Sequence, residues 1–313
     1  MTPRETFRRL DAALGAERVR LRSLAVDAVE RDRSALYYEE IFTSTRLAGA
    51  TLTLDEVQVL AERDLVPAAR QLGDCVMVAD YASAARLIRE LPTPRRGLPL
   101  LRADEIVALN ARATRRSPDS RPGKWRDHNV PAFPGGMVAP PPWLIPSQVA
   151  AFVDRYAAGL PVGASPVAWV AQSHERFERI HPFSAANGRT GRLLANLLLR
   201  RLGLPSLIVP ARRSASYVAA LRSADSRDSW PLAILFARSL LDALLKLSAA
   251  GVGAELQPVA DFAEGRARAA LYKAAQRGRL RTLRRGGKLC TTRAWVADYR
   301  ATRARAGRPA RVG

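Results

Sequence analysis

Apolar residues recur along most of this chain at three- and four-residue spacing, the repeat of a helix with one buried face. Gly and Pro mark the breaks between such runs. Residues 4–35 carry Phe7, Leu10, Leu14, Val19, Leu21, Leu24 and Val29 among many charges, which predicts an amphipathic helix or a pair of them. Thr53 followed by Glu56 has the spacing of a capping box and predicts a helix start with Leu54, Val57 and Leu60 inward. The pattern is helical again from Asp64 to Leu91, from Leu101 to Ala113, from Pro146 to Gly159 and from Pro166 to Ile180. Residues 187–202 read differently: Leu193, Leu194, Leu197, Leu198 and Leu202 make the run apolar nearly all round, which predicts a helix buried inside an all-α bundle. Two more helices are expected between Arg212 and Leu247.

The exception lies between these helices. From Arg121 to Pro146 the Gly and Pro residues exclude helix, leaving short extended pieces near Trp125–Val130 and Met137–Val138. The C-terminal stretch alternates helix, a basic hairpin around a Gly-Gly turn (279–292), and helix (293–306).

Composition sharpens this picture at one end only. The chain has 313 residues, 48% of them hydrophobic, enough for one large domain and a small one. No apolar run approaches the length of a membrane span and the first ten residues are charged, which predicts a soluble, cytoplasmic protein without membrane contact. Cys75 and Cys290 sit far apart in unlike contexts, and both read as packing residues. The net charge of +21 is uneven: Gly265–Gly313 holds fifteen Lys or Arg against one acid, Asp298. A GC-rich bacterial genome explains the preference for Arg over Lys but not this clustering, which points to a polyanion-binding tail. Lys273, Arg277, Arg279, Arg281, Arg284, Arg285 and Lys288 are its candidate nucleic-acid contacts. A winged helix-turn-helix resemblance implies DNA as the partner, and a solvated basic tail or an RNA-binding surface is the alternative.

Candidate chemistry concentrates in His181–Arg192, His-Pro-Phe-Ser-Ala-Ala-Asn-Gly-Arg-Thr-Gly-Arg. Ala185, Ala186 and Gly188 keep side chains away, so that amides at the start of the buried helix can approach an anion. Arg189 and Arg192, three apart, share a helix face from which both can reach phosphate oxygens. His181 at the loop entrance is placed as a general base. This reading requires the turn to be open and its arginines not to be spent on partners in the protein interior.

His174 is expected to be a packed structural residue, with Glu175 and Glu178 pointing elsewhere, and His128 a solvated one. Tyr217 reads as core or as a base-binding residue.

The stretch from His181 resembles the signature of the Fic (Fido) family, His-x-Phe-x-(Asp/Glu)-(Gly/Ala)-Asn-(Gly/Lys)-Arg-x-x-Arg. The resemblance implies an all-α Fic bundle with a short β-hairpin flap. It also implies transfer of AMP from ATP to a hydroxyl of a target protein, with His181 as base and Ala186, Asn187, Gly188, Arg189 and Arg192 holding the phosphates. Ala185 stands where the family has the carboxylate that seats magnesium, so no residue is assigned to a metal. Asp127 is the nearest substitute. Ser44–Val57 resembles the family's inhibitory segment, with Ala48 in place of its glutamate, so Arg192 is expected to lack its usual partner and AMP removal to be impossible. Arg121–Arg126 and residues 122–142 resemble the flap that holds the target, with Val130 and Met137 as positioning residues. The expected organisation is an N-terminal helical region (1–100), a Fic core (101–250) and a basic winged-helix-like domain (255–313), with a homodimer by analogy. A second function stays open: a catalytically degenerate Fic core acting as a nucleotide-responsive DNA-binding regulator.

Overall fold

The computed structural model describes residues 2–21, 26–95, 99–117, 121–130, 138–225, 228–251, 254–285 and 287–306. Its α-helices are α1 (Pro3–Leu21), α2 (Val26–Leu47), α3 (Leu54–Arg63), α4 (Leu72–Glu90), α5 (Ala103–Ala113), α6 (Ile145–Ala157), α7 (Pro166–Ile180), α8 (Asn187–Arg201), α9 (Ser214–Asp225), α10 (Trp230–Gly251), α11 (Gly265–Gln276) and α12 (Arg293–Ala306). The all-α class is as the periodicity predicts.

Two compact units divide the chain. The first comprises residues 1–14 and 34–243, the second residues 15–33 and 244–313. The division falls inside α10, and the basic tail shares its unit with an N-terminal stretch that sequence pattern assigns elsewhere.

In the first unit α8 is the axis, flanked by α4, α5 and α7. Leu193, Leu194, Leu197, Leu198 and Leu199 are wholly buried, each burial contributing about 1.5–3 kcal/mol. A buried ion pair ties α8 to α5: Arg201 Nη1 lies 2.8 Å from one oxygen of Glu105 and Nη2 2.5 Å from the other. The helix that opens at Thr53 has the expected capping box, with the Thr53 side chain accepting from the Glu56 amide and the Glu56 carboxylate accepting from the Thr53 amide. Its far end differs from the pattern. Asp64 adopts a left-handed conformation at φ 52° and stops α3, and helix resumes only at Leu72.

The second unit holds a three-stranded antiparallel sheet in the order β1 (Gln257–Pro258), β3 (Lys288–Thr291), β2 (Leu283–Arg285). A 3-10 turn at Val259–Phe262 precedes α11. Val259, Leu271, Leu280, Leu283, Cys290, Trp295 and Val296 form its core.

Candidate active site

Local sequence fixes where α7 ends and α8 begins. Ser165 caps the N-terminus of α7, accepting from the Ala168 amide, and Pro166 fills the first turn where no amide partner is needed. The helix ends at His181, whose φ of 48° puts a non-glycine residue in the left-handed region; Ala186, at φ 61°, does the same as α8 starts. Each conformation costs on the order of 1–3 kcal/mol, and such strain gathers at functional sites. Three supports hold the loop between them. The Asn187 carboxamide closes it from within, accepting from the Phe183 amide at 2.9 Å and donating to the Phe183 carbonyl at 2.8 Å. Asn110, wholly buried on α5, donates to the Ala185 carbonyl at 3.2 Å and to Thr190 Oγ1 at 3.1 Å, and accepts from the Gly123 amide at 3.0 Å. Arg126, 2% exposed, donates through Nε to the His181 carbonyl at 2.8 Å and through its Nη atoms to the carbonyls of His128 and Pro140.

His181 is half-buried, and its Nδ1 lies 3.3 Å from the Glu178 carbonyl. Burial, aided by the charge of Arg126 and opposed by that carbonyl, pulls its pKa down to about 4. The ring is therefore neutral near pH 7. With Nδ1–H directed at the carbonyl, Nε2 is the basic nitrogen. The amides of Asn187, Gly188 and Arg189 fall in the first turn of α8, where no intrahelical acceptor exists. A Cβ at Gly188 would lie 3.3 Å from Arg192 Nη1, a close approach to the end of a flexible side chain.

Several expectations need correction. Asn187 braces the loop with both side-chain polar atoms, so only its backbone amide is left for a ligand. Arg189 and Arg192 do not extend together over one face. Arg189 Nη1 donates to the Ala113 carbonyl at 3.0 Å, where the end of α5 offers an acceptor without an intrahelical donor. Arg192, 6% exposed, is not left without a partner: Nε donates to Ser44 Oγ at 2.7 Å and Nη2 to the Ser44 carbonyl at 2.9 Å. Both guanidiniums are thus turned to protein acceptors, so the expected free arginine pair is not what the fold presents, and either arginine reaches a phosphate only by exchanging its acceptor. Those acceptors are neutral, and Arg192 forms no ion pair with a carboxylate among the described residues. Glu178 does not point elsewhere: it is 1% exposed, and its Oε1 lies 3.8 Å from His174 Nε2. His174 itself is packed, with the Tyr217 hydroxyl 2.6 Å from Nε2. Tyr217 is a core residue, 6% exposed.

Ala185 offers a methyl group where a metal ligand would stand, and its carbonyl already accepts from Asn110. Asp127 does not replace it. Its carboxylate is paired with Arg121 and His128, and the Arg121 guanidinium draws its pKa down to about 2. No cluster of three potential ligands occurs among the described residues.

The flap is not a hairpin in its described part. Trp125 instead bridges Phe183 of the loop, their rings 4.8 Å apart, and the Arg126 amide donates to the Pro182 carbonyl at 2.9 Å. Val130 is half-buried, and Met137 lies outside the described residues. A separate cleft of about 630 Å³, lined by Gln148, Arg155, Arg176 and Arg179 among others, includes no residue of 181–192.

In the second unit Lys273, Arg277, Arg279, Arg284, Arg285 and Lys288 are exposed. Arg281 is not a surface contact: it is paired with Asp298, lies 3.8 Å from Glu17 and stacks 5.2 Å over the Trp295 ring.

Residues 100–199 match the model of the Fic/DOC family. The chain is 27% identical over 222 residues to the "Protein adenylyltransferase Fic" of Drosophila willistoni, an alignment covering 70% of this chain and 44% of that one. Its fold is similar to a Fic domain containing signaling protein from Bacteroides thetaiotaomicron (TM-score 0.70, 22% identity, 79% of this chain and 97% of that one). It is also similar to a Fic family protein from Desulfovibrio desulfuricans G20 (TM-score 0.61, 22% identity, 96% and 85%). The chain spans less than half the length of the curated relatives it matches. No helix among the described residues is long and apolar enough to cross a membrane.

Proposed function

We propose that the Fic domain transfers AMP from ATP to a hydroxyl of a target protein. The observation that carries this reading is His181, held neutral at the mouth of a loop whose next helix opens with amides that have no intrahelical acceptor. Relatives named protein adenylyltransferase Fic support the same reaction class. In the reaction Nε2 of His181 takes the hydroxyl proton, the hydroxyl oxygen bonds to the α-phosphorus, and the bond from that phosphorus to the bridging oxygen breaks to release pyrophosphate. The first-turn amides of α8 hold phosphate oxygens. Arg192 joins them by exchanging Ser44 for phosphate, a neutral acceptor for a charged one. The test is incubation with α-labelled ATP alongside His181→Ala. Label on protein that is lost in the variant supports the reading, and label that persists overturns it.

A second reading is favoured by a separate observation: the second unit places a 3-10 turn, α11 and the β2–β3 hairpin in succession, with Arg284, Arg285 and Lys288 exposed on the hairpin. This unit binds DNA, the hairpin arginines gripping phosphates beside α11. In a gel-shift assay with the full chain, affinity falls steeply with salt, and Arg284→Glu with Arg285→Glu reduces the slope by about 0.9 for each phosphate no longer neutralised. Undiminished binding by that variant overturns the assignment.

A further inference from the structure

An acid that the proposed chemistry does not use lies directly beneath the first turn of α8. Glu178 is 1% exposed, and neither of its carboxylate oxygens has a hydrogen-bond partner among the described residues. It is wedged against the helix that opens the loop. A Cβ on Gly191 would lie 2.5 Å from Glu178 Oε1, and one on Gly188 3.9 Å from it. Arg192 Nη1 is 3.3 Å from that same point at Gly188. The carboxylate and the guanidinium are therefore neighbours across one glycine, while Nε and Nη2 of Arg192 donate to Ser44 and the guanidinium also reaches the Tyr217 hydroxyl.

Three titratable or charged groups face Glu178. From α7 comes His174, from α8 Arg192, and from α9 Tyr217, whose hydroxyl meets His174. From α10 the Phe236 ring packs 5.5 Å from the His174 ring. Burial holds His174 neutral, down to about 3, and pushes the Tyr217 phenol up, so neither offers a charge. Among the described residues Arg192 is the cation acting on Glu178, and it is also the cation that a phosphate in the loop would claim.

Resting on the phosphate-site reading above, we infer that binding of a polyphosphate at the loop is coupled to uptake of one proton by Glu178. A bound phosphate withdraws Arg192 and brings negative charge to the far side of Gly188. Both changes favour the neutral acid. Burial already raises the pKa of Glu178 to about 7, with Arg192 opposing. Below that pH the free protein is protonated and binding costs no proton transfer. Above it the free protein is ionised, the complex is protonated, and affinity falls by up to about tenfold per pH unit. A phosphate monoester ionises near pH 6, so above pH 7 the ligand itself can only release protons. Uptake must then come from the protein.

The test is calorimetric titration of the full chain with ATP in two buffers of different ionisation enthalpy at pH 7.5. Wild type and His181→Ala are expected to take up a proton and Glu178→Gln to take up none, the last binding ATP more tightly than wild type at pH 8 and equally at pH 6. ATP binding without uptake by wild type, or with equal uptake by Glu178→Gln, overturns the inference and leaves the phosphate site standing. No binding of ATP by wild type anywhere from pH 6 to 8 overturns both. Should Glu178→Gln not fold, Glu178→Leu removes the charge without requiring a polar partner. Wild-type affinity that is flat across the same range refutes the coupling by itself.

Discussion

Replacing Ser44 by Ala removes one of the acceptors that hold Arg192 away from the loop. The hydroxyl accepts from Nε at 2.7 Å in a buried site, while the Ser44 carbonyl, which accepts from Nη2 at 2.9 Å, is unchanged by the substitution. A hydrogen bond to a charged group is worth about 1.5–3 kcal/mol, and a buried donor left without its acceptor forfeits a similar amount. The unliganded protein should therefore lose about 1.5–3 kcal/mol of stability. If phosphate replaces Ser44 as the acceptor, the liganded protein loses nothing, since that hydrogen bond is already broken there. The same free energy then appears as tighter binding, roughly 10- to 100-fold at about 1.4 kcal/mol per decade. Equilibrium denaturation gives the first quantity and calorimetry with ATP the second, and the two should agree. A variant that is destabilised but binds ATP with unchanged or weaker affinity would show that Arg192 keeps Ser44 in the complex. In that case Arg192 contributes to the fold and not to the phosphates.

Two further outcomes follow from buried charges. Glu105→Ala strips Arg201 of its paired carboxylate inside the α5–α8 contact and should destabilise the first unit by about 3–5 kcal/mol, read as a shift of the denaturation midpoint; a change below about 1 kcal/mol would mean that water solvates Arg201 in its place. Arg281→Ala should lower the unfolding midpoint with little change in the salt slope of DNA binding, because its guanidinium is committed to Asp298, Glu17 and the Trp295 ring. That is the reverse of the pattern expected for Arg284 and Arg285.

Helices were legible because burial imposes a period. The all-round apolar pattern of 187–202 places α8 at the centre of its unit, and Thr53 with Glu56 marks the start of α3 to the residue. Turn residues were less legible: Asp64 ends a helix where apolar spacing continues. Side-chain direction was not legible at all. Asn187, Arg189 and Arg192 have the residue types of a phosphate cradle, but each meets an acceptor contributed by another part of the chain, from Phe183, Ala113 and Ser44 respectively. Spacing along one helix says nothing about which carbonyl lies opposite. Asn110 escaped notice for a related reason. The sole local signal is a polar residue beside Ile106, Leu109 and Ala113 on a buried face, and only the folded chain shows that it serves the loop, α8 and the flap together. Glu178 gives a comparable signal, a carboxylate one residue beyond the buried Phe177, and spacing alone does not turn it towards His174.

Arg126 makes the rim of the site a single mechanical piece. One planar cation is fastened to the backbone oxygens of His128, Pro140 and His181. Because the staple grips main chain only, the side chains of His128 and Pro140 can be exchanged without loosening its hold on His181.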